Sequence, residues 1–209
     1  MDFTVASYTA WRSEVEGADG TVAKPDVSFI PPLERRRLTG VERAALAVAW
    51  QVRPEGDVPV VFASRWGEIG VTVKLMTQFH ADREMSPAGF SASVHNAAPG
   101  AFSLLTHNHA PYTAIAARER SLEAGLLEAL TQGAVVFVFA EEATPAFYVP
   151  AFGPLQPACA LAVRLELGGS CRAEFHSTEC APVSFDAADA FFSGRADALE
   201  AASFTLTRA

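Results

Sequence analysis

Residues 110–130 read APYTAIAARERSLEAGLLEAL, and the parsing of this stretch decides the fold. Tyr112 to Ala116 is a short extended run, and an amphipathic helix begins near Glu119. Many α/β enzymes expose a nucleophile at such a sharp strand-to-helix junction. Here the junction holds Arg118, Glu119 and Arg120, with Ser121 one turn into the helix. A serine nucleophile needs a base within hydrogen-bond reach and an oxyanion hole. Glu119 is a poor base, and no histidine is close in sequence, so a cap or first-turn role is expected for Ser121.

Working outward, the flanking segments alternate in period. Phe3 to Trp11 is β-branched and aromatic, as in a strand, and residues 16–34 carry the Gly, Asp and Pro of a loop. From Thr39 to Val52, Val41, Ala44, Ala45, Val48, Ala49 and Val52 share one helical face, with Thr39 and Glu42 spaced as a capping box. Val58 to Ser64 is a continuous apolar run, the pattern of a strand buried on both sides. Ile69, Val73, Met76 and Phe79 predict a second helix over 67–80, and a short helix is expected around Ala98 to Leu105. Strands are expected at Ala134 to Ala140, Ala158 to Leu167 and Ser203 to Thr207, and a helix near Asp186 to Ser193. This alternation predicts a three-layer α/β/α fold on a mixed, mostly parallel sheet, with antiparallel pairing at one edge.

Composition narrows the function classes. The 209 residues are half apolar, enough for a core without disulfides or metal. Lys and Arg number 16 against 24 Asp and Glu, a net charge of −8 that argues against nucleic acid as a ligand. Cys159, Cys171 and Cys180 match no CxxC pattern and read as reduced thiols. Met1 leads into Asp2 without a signal sequence, and no apolar run is long enough to span a membrane, so a cytoplasmic chain is expected.

Other candidate chemistry is weak. His95, His107 and His109 lack acidic or cysteine neighbours at ligand spacing, so no metal or cofactor is expected. Ser91 in GFSAS fails the nucleophile-elbow pattern, because Ser93 stands where glycine is required. Gly67 and Gly70 lack the lysine of a phosphate loop, and Arg35 to Arg37 read as a solvated helix approach.

The order of pieces nevertheless resembles a known family. Ser86 to Gly100, SPAGFSASVHNAAPG, is similar to the S-P-x-x-F-x-x-S-V-x-N-x-x-x-G stretch of the β-ketoacyl synthases, condensing enzymes of the thiolase superfamily. VVFASRWGEIG, RRRLTGVERAALAVAW and GAVVFVFAEE resemble that family's second strand and turn, the helix before it, and the strand after the nucleophile helix. The segment from Ser121 to Ala129 looks like the junction of short family members that act as chain-length factors in aryl polyene clusters. The resemblance is to the N-terminal half of the family, covers 1–209 as a single domain, is strongest over 36–167, and leaves 168–209 as an extension.

The resemblance implies that Arg118 occupies the position of the acyl-accepting cysteine. Arginine offers no displaceable nucleophile at neutral pH, and the family's two histidines belong to a half that this chain lacks. The implied function is a catalytically inactive chain-length-factor subunit of a heterodimeric β-ketoacyl-ACP synthase. Its partner would be a full-length ketosynthase, with acyl carrier protein reached through the complex. Phe102, Leu104, Leu105, Tyr112, Thr113 and Ile115 would face the partner and the tunnel end, and Arg118 would pair with Glu119, Glu123 or a group across the interface. Two alternatives stand beside it: a stand-alone acyltransferase or hydrolase using Ser121 or a histidine-bound metal, and a homodimeric, non-enzymatic binding module.

Overall fold

The computed structural model describes residues 1–13, 15–16, 21–22, 24–152 and 157–208. Strand β1 spans Asp2–Arg12. A two-residue ladder, β2 (Val15–Glu16) against β3 (Thr21–Val22), and one helical turn, α1 (Pro32–Arg35), lie in and beside the expected loop, of which residues 17–20 and 23 fall outside the described residues. Helix α2 (Gly40–Val52) starts on the expected capping box. The Thr39 hydroxyl accepts the Glu42 N–H at 3.1 Å, and the Glu42 carboxylate accepts the Thr39 N–H at 2.7 Å.

Strand β4 (Val60–Ala63) follows, then α3 (Ile69–Asp82), α4 (Pro87–Ser91), α5 (Ala97–Thr106) and β5 (Tyr112–Ile115). A 3₁₀ turn at Arg118–Arg120 leads into α6 (Ser121–Gln132) and β6 (Val135–Glu141). A second 3₁₀ turn, Ala146–Tyr148, runs into α7 (Val149–Phe152). The rest comprises β7 (Cys159–Leu167), β8 (Cys171–Phe175), α8 (Phe185–Phe192), β9 (Ala198–Glu200) and β10 (Phe204–Arg208).

Eight strands form one mixed sheet in the order β5-β4-β6-β7-β1-β8-β10-β9. The three-layer expectation is met, but the parallel share is smaller than expected. Among the described residues, parallel pairing is confined to β4 with β5 and β4 with β6. The pairings β6–β7, β7–β1, β1–β8, β8–β10 and β10–β9 are antiparallel. Parallel neighbours need a crossover of a dozen or more residues. Helices supply those crossovers between β4, β5 and β6, whereas the Gly168–Gly169 turn between β7 and β8 is far too short for one.

Strand periodicity sorts the core into two layers. Val60, Phe62, Val136, Val138, Ala140, Ala160 and Ala162 belong to the cluster under α2 and α5. Val61, Ala63, Val135, Phe137, Phe139, Leu161, Val163 and Leu165 belong to the cluster with α6 and α8. Alanines on both α2 and the strands beneath it let that helix lie close to the sheet. On the other face, Gly125 of α6 permits a similar approach: a Cβ there would stand 2.5 Å from the Ala63 Cβ and 2.6 Å from Phe137 Cε2.

Helix α3 corrects the apolar face read from the sequence. Ile69 and Leu75 are its buried residues, whereas Met76 and Phe79 are exposed. Among the described residues, no helix is long and apolar enough to cross a membrane.

Candidate functional site

The junction between β5 and α6 is a strained elbow. Arg118 has φ +54°, in the left-handed region that disfavours a side chain with a Cβ. Ser121 holds it there: its hydroxyl donates to the Arg118 carbonyl at 2.7 Å and accepts the Ala117 N–H at 2.9 Å. Ser121 is 1% exposed, and its proton is engaged by backbone. That is the first-turn role expected for it, and the hydroxyl is not presented as a nucleophile.

Arg118 lines a cleft of ≈ 280 Å³ at the C-terminal ends of β4, β5 and β6, where open α/β sheets place their ligand sites. The walls come from distant parts of the chain: Arg12 from the end of β1, Arg65 and Trp66 after β4, Glu141 and Glu142 after Ala140, and Cys159 starting β7. Leu122 and Phe139 add apolar surface, and Val183 and Phe185 close the side that the C-terminal residues cover. Apart from Cys159, read from the sequence only as a reduced thiol, these wall residues were not singled out, because their convergence depends on strand order. The available signal was their shared position at strand ends.

Charges in the cleft are mostly paired. Arg65 pairs with Glu119 at 2.7 Å, and Arg12 with Asp186 at 2.6 Å. The Arg12 guanidinium also lies 4.8 Å from the centre of the Phe185 ring. Arg120 pairs with the buried Glu123 at 2.7 Å and donates to the Cys180 carbonyl at 2.6 Å. Glu119 and Glu123 thus have their ion pairs with Arg65 and Arg120. The Glu119 backbone N–H and Arg65 hold the Glu119 carboxyl below its usual range, and the Arg118 charge helps at longer range. Among the described residues, the Arg118 guanidinium has no ion pair or hydrogen bond.

Burial pushes the Glu141 carboxyl up to about 7, against hydrogen bonds donated by the Arg65 and Trp66 N–H groups and the Ser64 hydroxyl. Burial, reinforced by the Glu141 charge, also pushes the Cys159 thiol up to about 12. A thiol so raised remains protonated at neutral pH and is no substitute acyl acceptor.

The histidines do not converge. The His95 ring contacts the Ser64 carbonyl at 2.9 Å, and His107 ends α5 in the left-handed conformation. Among the described residues, no group of three His, Cys, Asp or Glu side chains is placed to hold a metal ion. Ser91 donates to the Pro87 carbonyl, within its own helix.

Strand β5 occupies the edge of the sheet, bonded to β4 on one side. Tyr112 and Thr113 are exposed there, and Ile115 and Leu105 are half-buried. Leu104 is 80% exposed. Phe102 is different: at 3% exposed it packs in the core under α2, so it cannot itself face a partner in this conformation. Nearby in sequence, Met76, Phe79, Met85, Phe90 and Val94 are also exposed.

Residues 8–202 match the family described as "beta-ketoacyl synthase, N-terminal domain". No curated protein matches the chain. Among solved structures, a chain of the ketosynthase (ApeO) in complex with its chain length factor (ApeC) from Xenorhabdus doucetiae superposes with a TM-score of 0.78 at 22% identity, covering 100% of both chains. The ishigamide ketosynthase/chain length factor gives a TM-score of 0.53 at 15% identity, covering 66% of this chain and 49% of that one. A type II polyketide synthase acyl carrier protein in complex with its ketosynthase (AntDE:AntF) gives 0.51 at 14% identity, covering 71% and 56%. At these identities the superpositions establish the fold.

Proposed function

Because the chain belongs to the β-ketoacyl synthase N-terminal domain family, we propose that it is a non-catalytic, chain-length-factor subunit of a heterodimeric β-ketoacyl-ACP synthase in aryl polyene or related polyketide or fatty-acid biosynthesis. The observation that supports this reading is the elbow: a strained strand-to-helix turn with Arg118 at the position that the sequence resemblance equates with the acyl acceptor. An arginine cannot take an acyl group as a thioester, so decarboxylative condensation needs a thiol and its histidines from another chain. The neighbouring Cys159 supplies no substitute, since its thiol is held protonated.

The edge strand supports the partner half of the reading. An unpaired edge flanked by exposed apolar side chains is a surface that natural proteins cover. Leu104, Leu105, Tyr112, Thr113 and Ile115 contribute to that interface, and Phe102 supports it from the core behind. A full-length ketosynthase is the partner, and acyl carrier protein reaches the chain through the complex. The comparison with the ApeO–ApeC complex supports this assignment, because that structure pairs a ketosynthase with a chain length factor.

Co-expression with a full-length ketosynthase from the same organism tests the proposal. The two chains are expected to co-elute as a stable complex, and condensing activity is expected to require the partner's cysteine. A chain that purifies alone and never co-elutes would refute the reading.

A further inference from the structure

Residues 64–70, between β4 and α3, are fastened to the fold through carboxylates. Glu141, at the end of β6, accepts the Ser64 hydroxyl at 3.1 Å and the Arg65 and Trp66 N–H groups. Its neighbour Glu142 accepts the Gly70 N–H at 2.8 Å. From within the segment, Glu68 reaches back to the start of α2 and accepts the Thr39 hydroxyl at 3.0 Å. On the remaining sides the His95 ring contacts the Ser64 carbonyl at 2.9 Å, and Arg65 pairs with Glu119 at 2.7 Å. Gly67, at φ +54°, gives the segment a hinge, and a Cβ there would stand 2.9 Å from the His95 ring.

The inner carboxylates are enclosed without matching cations. Glu68 is 2% exposed, and among the described residues its second oxygen has no partner and no ion pair reaches it. Glu42, in the cap of α2, is buried as well, and its charge and that of Glu142 act on Glu68 with the same sign. Around Glu141 the cleft carries Arg65, Arg118, Cys159 and Arg12, the last paired with Asp186. Burial nevertheless outweighs the Arg65 charge and raises the Glu141 carboxyl to about 7. Enclosure disfavours the charged form of a carboxyl, whereas a segment swung outward returns the same group to water. Closing residues 64–70 therefore takes up protons.

We propose that residues 64–70 are a proton-linked latch, closing over Glu68 and Glu141 as these take up protons and opening locally as they lose them. Each carboxyl holds its proton more tightly in the closed state than in the open one. Closure is thus favoured fully below about 4.5 and is lost progressively as the pH rises through about 7 for Glu141 and about 8 for Glu68. Opening draws Arg65 away from Glu119 and takes Trp66 out of the cleft wall, so the latch governs the width of the cleft.

Hydrogen-exchange mass spectrometry on the purified full chain tests the proposal, at about pH 6 and about pH 9 with labelling times scaled to intrinsic exchange. Protection of residues 64–70 is expected to fall at least about tenfold between the two. It is expected to stay below that of α6 at both, because a local opening requires less than unfolding. Glu68→Gln, which fixes the neutral form, is expected to shrink the fall at least about threefold, and Glu34→Gln, on the exposed α1, to leave it unchanged. Equal protection at the two pH values, protection matching that of α6, or an undiminished fall in Glu68→Gln would each overturn the proposal. The profile of the native chain decides the matter if Glu68→Gln does not fold. The measurement needs no ketosynthase, so its result and that of co-elution stand apart.

Discussion

Arg118 stores backbone strain that can be measured. A left-handed conformation costs a residue with a Cβ about 1–2 kcal/mol, partly offset in glycine by its freer unfolded state. Arg118→Gly is therefore expected to stabilise the chain by roughly 0.5–1 kcal/mol in urea denaturation. An unchanged or lower midpoint would mean that the elbow is not strained. Glu68 presents a different cost. Burial raises its carboxyl from 4.5 to about 8; the Thr39 hydroxyl, donating at 3.0 Å, opposes this, and Glu42 and Glu142 reinforce it. Its second oxygen has no partner among the described residues. The folded chain thus keeps a proton that the unfolded chain loses above about 4.5. This group's stabilising contribution is full below that pH and declines as the pH rises towards 8. Glu68→Gln should flatten the decline, and urea midpoints for both proteins at the two ends of the window would show it. Equal midpoints for the native chain at both ends would refute a protonated Glu68.

At the scale of elements, Gly125 fixes how closely α6 approaches the sheet. Gly125→Ala places a methyl against Ala63 and Phe137, and overpacking of this kind costs about 1–3 kcal/mol. A thermal midpoint that does not fall would contradict the close approach. The elements legible in the sequence were those whose pattern is set locally. The period of α2, the Thr39–Glu42 box and the uninterrupted apolar runs of β4 and β6 each need no partner to be read. Helix α3 misled because Met76 and Phe79 recur at helical spacing without a layer above them, and periodicity cannot distinguish a core face from an exposed one. Strand β8 was missed because CRAEF alternates over five residues with two of them charged, a weak signal until β1 and β10 flank it. The walls of the cleft were illegible for the same reason, since Arg12, Glu141 and Val183 meet through strand order.

Across the whole molecule, residues after Leu167 are integrated into the fold. Strands β8, β10 and β9 extend the sheet beyond β1, and Phe191, Phe204 and Leu206 are fully buried. Glu123 ties them to the elbow: its carboxylate accepts both the Arg120 guanidinium and the Ala202 N–H, the latter at 3.0 Å. A chain ending at Leu167 is expected to lose cooperative unfolding and to bind hydrophobic dyes, and a sharp two-state transition would refute this. At the opposite edge, Tyr112→Asp and Leu104→Asp replace exposed side chains and should change stability by less than about 0.5 kcal/mol. Together they should abolish co-elution with the ketosynthase; persistent co-elution would place the interface elsewhere.

The central position of β1 also sets an order of assembly. Its register runs from Phe3 against Leu167 to Arg12 against Cys159, so this pairing waits until the chain has been made through Leu167. Contacts so distant in sequence close slowly. On the ribosome, β4, β5 and β6 can pair before β7 has been made and while β1 still waits for it. The β5 edge is thus ready for a neighbour before the sheet is complete, and a partner made at the same time could be recruited by a nascent chain.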